Sequence, residues 1–204
     1  MLSAQEALQR LKEGNERFVS QITQQQELAS EKRRLNLLEG QSPFAIILGC
    51  SDSRVPAEII FDQGLGDLFV IRVAGNIVAP SQVGSIEFAV ETYGTPLVVV
   101  LGHNSCGAIK ATLDAIKKPD QTPSHNLMSI VSRIRPSLET LTETDLKNNE
   151  EDLMRFAVRA NIRTSVSQVR YSSPYLETQI KSGNLMVVGA QYSLKEGQVN
   201  FFDA

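Results

Sequence analysis

The chain has 204 residues, 42% hydrophobic and 21% charged, with a formal net charge of −3 and a pI near 5.5. That balance fits an ordinary globular protein with one core, and offers no basic field for nucleic acid or an anionic membrane. No segment approaches the ~20 apolar residues needed to cross a bilayer, and MLSAQEALQR lacks the regions of a signal peptide. The chain therefore reads as cytoplasmic, with an organelle, a microcompartment or a leader removed before Met1 left open.

Ser3-Ala4-Gln5-Glu6 has the form of a capping box. Ala7, Leu8, Leu11, Asn15 and Phe18 follow at spacings of three or four, so an amphipathic helix is predicted. The polar stretch from Gln21 to Arg34 reads as a second, more exposed helix or a loop ending before Gly40. Phe44–Leu48, Leu68–Val73, Leu97–Leu101 and Leu185–Ala190 are short runs apolar on both faces, the pattern of strands buried on both sides. Helical stretches lie between them at Ser85–Tyr93, Gly107–Lys117 and about Glu150–Arg170, while Lys117–Asn149 reads as a loose connection or insertion. The alternation predicts an α/β fold with a mostly parallel central sheet flanked by helices. Residues 1–204 form one domain on this reading, with an N-terminal helical arm over about 1–38.

The chain has only two cysteines, Cys50 and Cys106, and two histidines, His103 and His125. Cys50 and Cys106 fall a few residues beyond the runs at Phe44–Leu48 and Leu97–Leu101, and His103 falls just past the second run. Open α/β sheets hold their sites at these carboxyl ends. Two neighbouring parallel strands would bring the three residues together. Two thiolates and an imidazole suit zinc and leave the fourth tetrahedral position open, the mark of catalysis rather than bracing. His125, in a Pro-Ser-His-Asn segment, reads as a surface or loop residue.

Each candidate also has a plainer reading, a small buried hydrophobe for a cysteine and a satisfied hydrogen-bonding group for the histidine. A redox protein with a Cys50–Cys106 disulfide is a further alternative, but it leaves His103, Asp52 and Arg54 without a role. In Cys50-Ser51-Asp52-Ser53-Arg54 a carboxylate and a guanidinium follow the first ligand at steps of two. Arg54 can clamp Asp52 bidentately, so that Asp52 sits beside a metal-bound water or swings onto the metal as a fourth ligand.

Cys50-Ser51-Asp52-Ser53-Arg54 and Gly102-His103-Asn104-Ser105-Cys106-Gly107 closely resemble the paired motifs of beta-class carbonic anhydrases. The likeness runs from Gly14-Asn15-Glu16-Arg17-Phe18, through Arg72-Val73-Ala74-Gly75-Asn76, to the last strand, and is weaker after Asp120. It implies one zinc per chain on Cys50, His103 and Cys106, an Asp52–Arg54 catalytic dyad, and reversible hydration of carbon dioxide to bicarbonate and a proton. Two rival roles keep the zinc: hydrolysis of a CO2 analogue such as carbon disulfide, and non-catalytic bicarbonate binding or assembly.

Zinc lowers the pKa of bound water towards ~7, a value known for three-histidine carbonic anhydrases. Two thiolates would acidify the water less than three neutral imidazoles, which gives Asp52 an orienting task. By the same resemblance Gln41, Phe69 and Phe88 match substrate-pocket residues of plant-like members. Bicarbonate-regulated members carry a tryptophan where this chain has Ile47, although Arg72 and Tyr192 resemble parts of the regulatory set. Gly84 and Gly107 are read as allowing close packing at helix starts, with amides after Cys106 orienting its thiolate. The related proteins place the pocket at a dimer interface, which implies a homodimer or a dimer of dimers.

Overall fold

The computed structural model describes residues 2–118, 120 and 124–202. Helix α1 (Ala4–Val19) starts at the predicted capping box: the Ser3 hydroxyl accepts from the Glu6 N–H, and the Glu6 carboxylate accepts from the Ser3 N–H. Ala7 and Leu11 are buried beneath it. Asn15, on the same face, is a polar connector. Its amide donates to the carbonyls of Ile60 and Gly197, and its oxygen accepts from the Val199 N–H at 2.8 Å.

The Gln21–Arg34 stretch resolves into two short helices, α2 (Gln25–Leu28) and α3 (Glu31–Asn36), neither with a buried residue. Ion pairs fasten this arm to the body. Arg17 reaches the buried Asp62 at 2.6 Å, and Arg10 and Arg33 both reach Asp67, at 2.9 and 2.8 Å.

Strand β1 (Ala45–Gly49) and helix α4 (Ala57–Ile60) come next, then β2 (Leu68–Arg72), α5 (Pro80–Tyr93) and β3 (Leu97–His103). Helices α6 (Gly107–Lys117), α7 (His125–Ile134), α8 (Glu139–Thr142), α9 (Glu150–Tyr171) and α10 (Pro174–Lys181) follow. The chain then forms β4 (Met186–Tyr192) and β5 (Val199–Phe202). Among the described residues the sheet order is β2-β1-β3-β4-β5, parallel except for the antiparallel β4–β5 pair. The expected α/β fold with a mostly parallel, helix-flanked sheet is therefore present.

Every residue of β1 and β3 is buried. Side chains alternate across a strand: Ile46, Leu48, Val98 and Val100 enter one core, packed under α9, while Ile47, Val99 and Leu101 enter the other with Leu11 and Phe61. Each such side chain contributes about 1.5–3 kcal/mol when fully buried.

The structure corrects several expectations. His103 is the last residue of β3 rather than one past it. Lys117–Asn149 is not a loose connection but carries α7, α8 and two 3-10 turns, and Val131, Ile134 and Leu138 lie wholly in the core. Residues 119 and 121–123 of that stretch lie outside the described residues. Scattered charges and prolines concealed the stretch, because its buried positions are few. Strand β5 and helix α10 were also missed; both are short, and Val199-Asn200-Phe201-Phe202 alternates for too few residues to register.

Candidate metal centre

Parallel pairing of β1 with β3 aligns Gly49 with Leu101, so both strands end at the same edge of the sheet. Cys50 directly follows β1, His103 ends β3, and Cys106 caps the start of α6. One sulfur from each cysteine and one ring nitrogen of His103 all lie within 4.8 Å of one another, and all three residues are buried. Gly102 is glycine because α9 presses on it: a Cβ there would stand 2.6 Å from Ile162 Cδ1.

The donor chemistry fits a metal ion. His103 Nδ1 lies 2.9 Å from the Asn104 carbonyl oxygen, which only accepts, so Nδ1 carries the proton and Nε2 bears the lone pair. That Nε2 is fully buried and has no hydrogen-bond partner, an arrangement that costs about 1–3 kcal/mol unless something coordinates it. The two sulfurs are 4.0 Å apart and unbridged. Hydrogen bonding from Cys106 and from the Gly75 N–H, opposed by burial, holds the Cys50 thiol well below its ordinary value. Cys106 is pushed up by the same sulfur contact and by burial, with the Ala108 and Ile109 amides opposing. A divalent cation binding here would compete with protons for the two sulfurs.

Asp52 lies beside the three donors rather than among them. Its Oδ2 is 3.8 Å from His103 Nε2 and accepts from Arg54 Nη2 at 2.7 Å, while Oδ1 accepts from Arg54 Nε at 2.9 Å and from the Arg54 backbone N–H at 3.0 Å. The bidentate clamp, opposed by partial burial, holds the Asp52 carboxyl well below the usual carboxylate range. The carboxylate is thus clamped by Arg54 and stands outside the three-donor cluster. Arg72 secures the loop, donating to the carbonyls of Cys50 at 3.0 Å and Asp52 at 2.6 Å.

Gln41, Phe69 and Phe88 gather around Tyr93. Gln41 is exposed and donates to the Tyr93 hydroxyl at 3.0 Å. Phe69, Phe88 and Tyr93 form an aromatic group with centroids 5.8–6.2 Å apart. Phe69 pairs with Ile46, four residues before Cys50, which sets its backbone roughly 13 Å back along the sheet from the cysteine. Phe88 is 51% exposed.

Gly107 and Gly84 were expected to permit close packing, yet among the described residues no atom beyond their chain neighbours and own helix backbone comes within 4 Å of a Cβ built at either. Their surroundings within the chain are open, whereas Gly75 and Gly102, beside the metal donors, are among the tightly packed glycines. His125 is exposed at the first turn of α7, a surface residue as expected. Ile47 and Tyr192 sit in the core on the α1 side of the sheet.

Two buried sulfurs and an imidazole at the carboxyl edge of a parallel sheet, with a clamped aspartate alongside, define an α/β metalloprotein site consistent with zinc. The carbonic anhydrase family model matches residues 45–199. "Carbonic anhydrase 2" of Mycobacterium tuberculosis is 43% identical over 92% of this chain and 87% of its own length. A carbonic anhydrase of Mycolicibacterium smegmatis is 41% identical over 93% and 88%. A tetrameric beta-carbonic anhydrase from Sordaria macrospora superposes with a TM-score of 0.75 at 25% identity, covering 84% of this chain and 86% of that one. The chain belongs to the carbonic anhydrase family, in its beta class.

Proposed function

We propose that this chain holds one zinc ion on Cys50, His103 and Cys106 and catalyses the reversible hydration of carbon dioxide to bicarbonate and a proton. The observation that carries the reading is the buried, unpartnered His103 Nε2 facing two unbridged sulfurs, with the carboxylate of Asp52 at 3.8 Å. Zinc bound there supplies an acidified water as the nucleophile for a small electrophile such as CO2. The protein supplies the rest. Asp52 is kept ionised by Arg54 and acts as a fixed acceptor, orienting the proton of the attacking group. Arg72 keeps Asp52 in register by bonding the two carbonyls around it.

Gln41, Phe69 and Phe88 serve the same reaction only if a second copy delivers them, because within one chain Phe69 is offset from Cys50 along the sheet. The exposed Phe88, the open space at Gly84 and Gly107, and a groove of about 640 Å³ beside α5 support a homodimer built on that face. A dimer of dimers agrees with the tetrameric relative. No helix among the described residues is long and apolar enough to cross a membrane, and unbridged ligand thiols suit a reducing compartment such as the cytoplasm. A Cys50–Cys106 redox couple gains no support, since it gives His103 Nε2 no partner.

Stopped-flow CO2 hydration with a pH indicator, on protein whose zinc per chain is measured in the same preparation, tests the reading. Rapid hydration lost on chelation is the expected result. Fully zinc-loaded protein without hydration activity would overturn it in favour of a binding role or another substrate.

A further inference from the structure

The turn Ala74–Asn76 touches the metal site but is not a turn its own sequence favours throughout. Gly75 has φ +70° and ψ 18°, and Asn76, next to it, has φ +44°. Two successive left-handed residues are uncommon, even where they are glycine and asparagine, the types that tolerate that region best. Such a conformation persists only where its surroundings hold it. The Gly75 N–H points at Cys50 Sγ, 3.4 Å away.

What holds the turn is α9. Asn161 donates from Nδ2 to the Gly75 carbonyl at 2.8 Å, and Ser165, one helical turn on, donates from its hydroxyl to the Asn76 carbonyl at 3.0 Å. Both side chains are buried, at 3% and 2% exposure, within a helix face otherwise lined by Val158, Ile162 and Val166. Buried polar groups on an apolar face are destabilising unless each finds a partner, and these two partners are consecutive carbonyls some 86 and 89 residues away in sequence. A Cβ on Gly75 would meet Ile134 Cδ1 at 2.6 Å and Ala108 Cβ at 3.1 Å, so the turn is wedged from the other side as well.

We infer that Asn161 and Ser165 are positioning residues for the metal centre, setting the Gly75 N–H against the Cys50 sulfur. The inference rests on the proposed metal site. A hydrogen bond to a ligand thiolate withdraws charge from sulfur, lessens its donation and leaves the metal a stronger Lewis acid. In a site with two thiolates this offsets part of the charge they supply. Asn161 and Ser165 act from the far end of that bond and touch neither substrate nor metal.

Cobalt(II) substitution reads this bond directly through the sulfur-to-cobalt charge-transfer band. Asn161→Ala is expected to shift the band to longer wavelength, because a thiolate relieved of its N–H donor is easier to oxidise. It should also lose zinc to a competing chelator about 10–100-fold more readily, because the freed turn no longer orients Cys50 and this outweighs the stronger donation of its sulfur. Ser165→Ala should shift the band in the same direction by less, and gives the result if Asn161→Ala does not fold. Val169→Ala, on the same helix and wholly buried, controls for lost packing: it should lower thermal stability and leave the band and the zinc affinity unchanged.

An unmoved band with wild-type zinc retention in the alanine variants would overturn the inference while leaving the metal site standing. So would equal shifts in Val169→Ala. Absence of any sulfur-to-cobalt band in the unaltered protein would instead remove the metal site, and this inference with it.

Discussion

Replacing Asp52 by asparagine separates two things a carboxylate beside a metal can do. In the native arrangement Oδ1 accepts two hydrogen bonds, from Arg54 Nε at 2.9 Å and the Arg54 backbone N–H at 3.0 Å, and Oδ2 accepts one from Arg54 Nη2 at 2.7 Å. Asparagine keeps the first pair if its oxygen takes the Oδ1 place, and sets an NH2 donor against the Nη2 donor. One charge-assisted bond is lost. With 55% of the Arg54 side chain exposed, solvent screens the pair and the stability loss should be small. Zinc content should stay at one per chain, because Asp52 lies outside the three-donor cluster.

Catalysis should suffer more. Loss of a positioned acceptor commonly lowers the rate ~10²–10⁴-fold, or about 3–5 kcal/mol of transition-state stabilisation. Stopped-flow hydration, thermal unfolding and zinc analysis on one preparation measure all three quantities. Activity within about threefold of wild type at full zinc loading would refute the role given to Asp52. Loss of zinc in parallel with activity would refute its placement outside the ligand set.

Cys106→Ser should lose most of its zinc and its activity together, since a hydroxyl is a far weaker ligand than a thiolate; wild-type zinc content by metal analysis would contradict the ligand assignment. The depressed Asp52 carboxyl makes an acid-range prediction. Its stabilising contribution is fully present above the unfolded aspartate value of about 4 and disappears as pH falls towards the lower folded value. The gap in denaturation midpoint between wild type and Asp52→Asn should therefore narrow below about pH 4, and a gap that widens in acid would reverse the sign of the argument. Phe88→Glu should lower the solution mass to that of a monomer and reduce hydration at least tenfold. Light scattering and kinetics test it, and an active monomer would show that one chain completes its own pocket.

Much of the metal centre was legible in the sequence because its residues are rare and sit where strands stop. With two cysteines and two histidines in 204 residues, strand-end placement was enough to single out Cys50, His103 and Cys106. Asp52 and Arg54 were legible for a different reason: a clamp between residues two apart is a local matter, decided by side-chain reach. Continuous apolar runs at Phe44–Leu48 and Leu97–Leu101 likewise signal strands covered on both faces, and hence the parallel sheet.

Partners distant in sequence were decided only by the tertiary structure. Nothing near Asn161 or Ser165 marks them as other than polar interruptions of an apolar helix face; their partners at Gly75 and Asn76 become neighbours only when α9 packs on the sheet. The offset of Phe69 from Cys50 within one chain follows from strand register, which pairs Phe69 with Ile46 and Arg72 with Gly49. Residue types and local spacing determined which groups can bind a metal. Chain packing decided which backbone amide faces the Cys50 sulfur, and which aromatic side chains cluster around Tyr93.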